Sequence, residues 1–324
     1  MTVEARLRSF RGEADFPVMV RIMNACNRVD ELEYNESIQD VARVFSHLTH
    51  CDPFTDMRFA EIGGGPAGYS RVYWKDELDG PRLYIGLGFV DPRFRRRGLG
   101  TMLLEWNETR LREIAAGHPT GLMKKFQVWT ADSIPGAIAL LEHHGYSSAR
   151  EMVEMIRPIR EPLAASPLPA GLEIRPVALA DVRLVWDARE EAYRDHWGYA
   201  PRTDEDYAAW LDSPRFQPKL WKVAWDGHQV AGMVLNYVDQ RRNEWIGIRR
   251  GYTQDVCVRR PWRRQGLARA LLTESIRMFS QMGMAETYLG VDTESPTGAD
   301  ALYASLGYRR SRRHVIYRKP MVAA

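Results

Sequence analysis

The sequence predicts an α/β fold, a layered α+β sheet flanked by helices and built twice in tandem, and three observations carry that expectation. The chain has 324 residues, which suits two domains of roughly 160 better than one. Strand-like alternation and helical periodicity are interleaved along it, with strand–loop–helix units that call for a layered sheet. The third observation is internal similarity. FVDPRFRRRGLGTMLLEW (Phe89 to Trp106) is answered by CVRRPWRRQGLARALLTE (Cys257 to Glu274), with Gly98 and Gly266 168 positions apart. LLEHHGY (Leu140 to Tyr146) is answered by LYASLGY (Leu302 to Tyr308). A repeat of domain length implies duplication, because solenoid periods are ~20–50 residues.

Each half has the same order of elements. A strand and one or two helices come first. A hairpin follows, Met57–Ile62 with Gly68–Trp74 in the first half and Trp221–Trp225 with Gln229–Tyr237 in the second, the latter turning at Asp226-Gly227. Next come a strand (Leu83–Val90; Thr253–Val258), a glycine loop and a long helix, which in the second half runs from Leu267 to about Met282. A strand (Phe126–Thr130; Thr287–Val291), a helix and a last strand close each half. Between the halves, RPIREPLAASPLPAG (Arg157 to Gly171) holds four prolines, which neither continue a helix nor donate to a sheet ladder. The expected boundaries are a first domain over 1–160, a linker over 161–171 and a second domain over 172–324, opening with a short strand at Leu172–Val177.

Composition narrows the function classes. Apolar residues at 45% supply two cores and exclude disorder. No apolar run approaches the ~18–20 residues a bilayer span needs, so no membrane partner is expected. The early segment carries Glu4, Glu13 and Asp15 and no apolar h-region, so no secretory signal is expected. Cys26, Cys51 and Cys257 form an odd set without CxxC spacing, which points to a reducing cytoplasm and to no metal. A net charge of +3 is too small to argue for a nucleic-acid partner.

The glycine loops carry the chemistry. Arg263-Arg264-Gln265-Gly266-Leu267-Ala268 opens a helix that is apolar at Leu267, Ala270, Leu271, Ile276 and Phe279. A helix N-terminus offers unsatisfied N–H groups and partial positive charge, and glycine permits close approach and positive φ. Together they make an anion cradle suited to a pyrophosphate. Arg95-Arg96-Arg97-Gly98-Leu99-Gly100 repeats the arrangement. The alternative is a basic turn that merely caps a helix. Dinucleotide and Walker loops are disfavoured, since neither segment has GxGxxG or GxxxxGK[ST].

Pro92, Arg95, Gly98 and Gly100 resemble the acetyl-CoA loop of the GNAT N-acetyltransferase superfamily, and Pro261, Arg263, Gly266 and Ala268 match with the proline displaced by one. Ala299, Leu302, Tyr303, Leu306, Gly307 and Tyr308 resemble the family's second motif. The resemblance spans nearly the whole chain as two tandem domains, a layout similar to that of the mycothiol synthase family. It implies that each domain is a mixed, mainly antiparallel central sheet flanked by helices. It implies an enzyme with acetyl-CoA as cosubstrate and a small-molecule primary amine as acceptor, joined by direct attack in a ternary complex. Carried over by position, the cosubstrate would meet Val256, Val258, Arg263, Arg264, Gln265, Gly266, Leu267 and Ala268. The first-domain equivalents are Phe89, Val90, Arg95, Arg96, Arg97, Gly98, Leu99 and Gly100. The strand before the loop would present an amide to the thioester oxygen, and the second-motif tyrosine, Tyr303, would protonate the leaving thiolate.

The halves differ where chemistry is expected. Leu141 stands at the position of Tyr303 and cannot donate a proton, so the first domain reads as a degenerate copy. Gln254 stands where many family members carry a glutamate base, and Gly86 stands there in the first domain. Glutamine is no base at neutral pH. Asp255 would point to the other sheet face unless a bulge re-aims it. Cys257 reads as a small apolar residue between two valines, with an acyl-enzyme role as the alternative. The base is thus unassigned, and a non-catalytic acyl-CoA sensor is the competing class.

Two charge runs complete the reading. Arg241 to Arg264 holds eight arginines and two acids, a surface for CoA phosphates, with Arg241 and Arg242 on a solvated hairpin. Asp181 to Asp212 holds nine acids and four arginines and includes Asp195, His196, Trp197 and Tyr199. It is either an acidic, aromatic rim for a cationic amine or the wet face of helices. His196 is a candidate base or a simple hydrogen-bonding loop residue.

Overall fold

A computed structural model of the protein describes residues 5–321, so Glu4 lies outside the described residues. In chain order the first half forms β1 (Ala5–Ser9), α1 (Phe16–Val29), α2 (Ile38–Ser46), α3 (Pro53–Asp56), β2 (Met57–Ile62), β3 (Gly65–Asp76), β4 (Arg82–Val90), α4 (Leu99–Ala116), β5 (Lys124–Ala131), α5 (Pro135–His143) and β6 (Ser147–Pro158). The second half forms β7 (Glu173–Ile174), α6 (Val182–Tyr193), α7 (Asp204–Asp212), β8 (Lys222–Asp226), β9 (Gln229–Tyr237), α8 (Gln240–Ile246), β10 (Arg250–Val258), α9 (Leu267–Gln281), β11 (Glu286–Asp292), α10 (Ala299–Ser305) and β12 (Arg309–Pro320).

Two compact units result, and their membership departs from the expected boundaries. One runs to Arg150 and resumes at His314, and the other is Glu151–Arg313. In the first unit the strand order is β1-β2-β3-β4-β5-β12, and in the second it is β6-β11-β10-β9-β8-β7. Each last strand is therefore supplied by the opposite half of the sequence. Met152 to Pro158 of β6 pair with β11, and His314 to Pro320 of β12 pair with β5. Within each unit, among the described residues, only β4 with β5 and β10 with β11 run parallel, which gives the mixed, mainly antiparallel sheet.

Local sequence explains most elements. In the second unit α9 buries Leu267, Ala270, Leu271, Ile276 and Phe279 at helical spacing against one face. Trp186 and Trp210 of α6 and α7 pack with Trp221 and Trp225 on the other. A fully buried Leu, Ile or Phe side chain is worth ~1.5–3 kcal/mol, so α9 anchors the layer. Both units start their second helix with a capping box, Ser37 with Asp40 and Thr203 with Asp206. β7 stops after two residues, ahead of Pro176, which has no N–H for a ladder.

Two expectations are corrected. The proline-rich segment is no free linker. Arg157 is buried and donates Nε to Leu306 O at 2.6 Å, Nη1 to Pro158 O at 2.8 Å and Nη2 to Glu161 O at 2.8 Å. Leu163, Leu168 and Leu172 pack on the core of the second unit. Prolines forbid regular structure there but leave carbonyls to be satisfied, and a buried guanidinium satisfies them. Likewise Arg241 and Arg242 sit on the short helix α8, not a hairpin, and Arg242 is buried over the rings of Tyr252 and Tyr288.

Candidate active site

Between β10 and α9 the chain turns through two left-handed residues, Arg264 at φ +61 and Gly266 at φ +82. Such a sequence of conformations turns successive N–H groups toward one point and makes an anion-binding nest. No side chain caps α9, so its first-turn N–H groups face outward unsatisfied. A Cβ added at Gly266 would meet no protein atom within 4 Å, so the cradle is open to a ligand. A cavity of about 780 Å³ extends from it.

The loop is held by its arginine. Arg263 donates Nε to Val258 O at 2.9 Å and Nη1 to Asp195 Oδ2 at 2.6 Å, with Arg260 on the same carboxylate. These two guanidiniums hold Asp195 well below the usual carboxylate range. Arg259 pairs with Glu191 at 2.8 Å. Three arginines of the basic run, Arg259, Arg260 and Arg263, thus pair with two acids of the other run, Glu191 and Asp195. Arg264 remains without a partner among the described residues and lines the cavity.

Beside the loop, β10 departs from regular pairing. Its last partner on β11 is Leu289, opposite Thr253, and beyond that pair the two strands part. On its other edge the register shifts between Thr253 and Asp255. Six residues, Thr253–Val258, face five, Gly232–Asn236, and Gln254 is the extra residue of a β-bulge. The bulge sends Gln254 into the cavity wall and turns Asp255 under α6. There Asp255 accepts from Tyr193 Oη at 2.6 Å, Arg189 Nε at 3.1 Å and Arg189 Nη2 at 3.2 Å. Asp255 is therefore a buried structural partner and not a wall residue.

Tyr303, on α10, is buried and lines the cavity, and its hydroxyl has no hydrogen-bond partner among the described residues. Burial pushes its pKa well up, so at neutral pH it is a phenol with a proton to give. Cys257 is buried against α6, and burial raises its thiol too far for an ambient thiolate nucleophile.

Of the expected site residues, Gln254, His196, Tyr303, Val256, Val258, Arg263, Arg264, Gly266, Leu267 and Ala268 line the cavity. Gln265, Trp197 and Tyr199 do not. Gln265 turns back to Pro261 O at 3.2 Å, and Tyr199 donates to Glu190 at 3.3 Å. Sequence reasoning missed Met152, which reaches the wall from β6, and Tyr193. Nothing local marks Met152, because it comes from the other half of the chain. Asp195 had a signal: an acid follows the first helix in both halves, and Asp30 pairs with Arg95 at 2.6 Å.

The first unit keeps the loop and not the rest. Arg96 (φ +63) and Gly98 (φ +80) repeat the nest, and Leu99 is buried beneath it. Arg97 lies over Phe94, and Leu140 Cδ2 lies 3.1 Å from where a Cβ of Gly100 would be. Phe89 and Val90 pack in its core. Here β4 pairs with β3 without a shift, so there is no bulge. A Cβ at Gly86 would meet Asn107 Nδ2 at 2.8 Å, so the place of Gln254 is filled. Leu141 is buried where the second unit has Tyr303.

The model of the acetyltransferase (GNAT) family matches residues 18–146 and again 183–308. A mycothiol acetyltransferase from Thermobispora bispora is 31% identical, over 79% of this chain and 85% of its own. Another from Salinispora tropica is 27% identical, over 90% and 95%. The solved GCN5-related N-acetyltransferase from Sphaerobacter thermophilus shares 30% identity at a TM-score of 0.74, covering 98% of this chain and 95% of its own. A tandem GNAT protein from the clavulanic acid biosynthesis pathway has the same fold, at 13% identity, TM-score 0.70, with 99% of this chain and 100% of its own covered.

Proposed function

The chain belongs to the acetyltransferase (GNAT) family and is a tandem-domain N-acetyltransferase, and on that premise we propose that its second unit moves acetyl from acetyl-CoA to a primary amine of a small molecule. Attack is direct, in a ternary complex. The observation that carries the reading is one cavity joining the Gly266 cradle to the unpartnered Tyr303 hydroxyl. The open nest, the uncapped helix and the cavity fit the cosubstrate, with Gly266, Leu267 and Ala268 offering N–H groups to its pyrophosphate and Arg264 a cation. Bound there, acetyl-CoA would supply the thioester. The parted edge of β10 offers backbone N–H groups to developing negative charge on an oxygen, and Tyr303 gives its proton to the leaving sulfur. Gln254 holds the acceptor or a water by hydrogen bonding and takes no proton.

The relatives named mycothiol acetyltransferase support a small-molecule acceptor. The first unit, without bulge or tyrosine, supports the structure and transfers nothing. An acetyl-CoA assay against amino sugars, polyamines, amino acids and peptides tests the reading. Turnover with one small amine is expected. CoA binding without transfer to any of them would favour the sensor reading, which Gln254 at the base position supports.

A further inference from the structure

We propose that His196 is the general base of this transfer, an imidazole on the cavity wall that takes the proton of the attacking amine. The inference rests on the acetyl-transfer reading and supplies the group that Gln254 leaves missing.

Apart from the permanently cationic arginines, the titratable groups lining the cavity are Tyr193, Asp195, His196, Cys257, Asp292 and Tyr303. Asp195 lies between Arg260 and Arg263, which makes it a poor proton acceptor. Tyr193 donates its own proton to Asp255. Cys257 is kept as a thiol by burial, and Tyr303 is the acid. Asp292 accepts the N–H of Glu294 at 3.1 Å, which ties one of its oxygens to the turn after β11, and it is the rival to His196 that the Asp292→Asn variant below tests.

The imidazole packs on Tyr193, with ring centroids 4.5 Å apart, and the Tyr193 hydroxyl rests on Asp255, the neighbour of Gln254. One aromatic ring thus separates His196 from the bulge. Its backbone is fixed on both sides, His196 N donating to Tyr193 O at 2.8 Å and Tyr199 N to His196 O at 3.2 Å. Burial lowers its pKa most. Asp292 from β11, Asp195 from its own loop and Asp255 from β10 raise it, and Arg263 from the glycine loop lowers it, with a net shift downward. At neutral pH the ring is unprotonated, the state a base requires.

The step balances. The amine nitrogen bonds to the thioester carbonyl carbon and the carbon–sulfur bond breaks. The nitrogen's proton passes to His196, and the Tyr303 hydroxyl proton passes to sulfur. The imidazolium then loses one proton to solvent and the phenolate regains one, so one proton has moved from nitrogen to sulfur overall.

The test is single-turnover acetyl transfer by the full chain across about pH 5 to 9. The wild type should lose rate as the pH falls below the ordinary imidazole value, because protonation removes the base. His196→Gln should lose ~10²–10⁴-fold near neutrality and lose that acidic limb, with CoA affinity unchanged in calorimetry. Free imidazole should restore part of the rate to His196→Gly, which a packing defect would not allow. Independently of turnover, the histidine ring resonance absent from His196→Gln should titrate at the midpoint of the limb. Wild-type rate and limb in His196→Gln, or a limb abolished only by Asp292→Asn, would overturn the assignment alone. A wild type that acetylates no amine of the panel would overturn the acetyl-transfer reading and the base with it.

Discussion

In both units an arginine five residues beyond the last strand valine donates Nε to that valine's carbonyl and pairs with an aspartate following the first helix. Arg95 does so with Val90 and Asp30, and Arg263 with Val258 and Asp195. Both then place a left-handed glycine ahead of an uncapped helix. What separates the units lies one strand earlier and one helix later. The second unit has one residue too many in β10, which opens a wall for Gln254, and a tyrosine facing the opening. The first has a full partner strand, Asn107 in the vacated place and a leucine. The left-handed glycine loop is thus common to both units, whereas the bulge of β10 is a register defect that needs something beneath to hold it. Arg189, Asp255 and Tyr193 hold it here.

The largest expected effect would break the idea of two self-contained copies. A chain beginning at Leu172 retains every motif of the second half but lacks the β6 residues that pair with β11. It should show no cooperative thermal transition by circular dichroism. A native-like melt would mean that β6 is dispensable.

Tyr303→Phe sharpens the comparison by making the second unit like the first at one hydroxyl. Single-turnover transfer should fall ~10²–10⁴-fold with CoA affinity retained. Transfer at the wild-type rate would remove Tyr303 as the acid.

Asp255→Leu places in the second unit the residue type found at Leu87. Arg189 keeps only Glu190 as an ionic partner, and stability in urea should drop by ~3–5 kcal/mol, the usual cost of an uncompensated buried charge. Adding Arg189→Met should recover most of that stability but not turnover, because the bulge loses its anchor. Full recovery of single-turnover rate in the double variant would show that the ion pair only stabilises the fold.

The smallest expected effect separates the two cradles. Gly266→Val forces a β-branched residue into the left-handed region, at ~1–2 kcal/mol, and fills the approach to the N–H groups. CoA affinity should fall at least ~10-fold by calorimetry. Gly98→Val carries the same backbone strain and should lower the melting temperature while leaving turnover within about twofold. Equal losses of turnover would argue that both units act.

Much of this was legible from residues alone. Hairpin, loop, α9 and second motif follow from apolar period and glycine placement, which depend on neighbours a few positions apart, and Leu141 against Tyr303 already told the halves apart. Tertiary structure decided three other things. Which strand completes which sheet depends on pairings such as Val291 with Val153, far apart in sequence. Alternation already put Asp255 on the face opposite Gln254, but that Gln254 is the extra residue of a bulge shows only in the pairing of β10 with β9. Which charges are free depends on pairs such as Asp195 with Arg263, 68 positions apart. Period and turn chemistry act over one or two turns of chain, whereas pairing, burial and charge neutralisation act through space and are fixed only when distant segments meet.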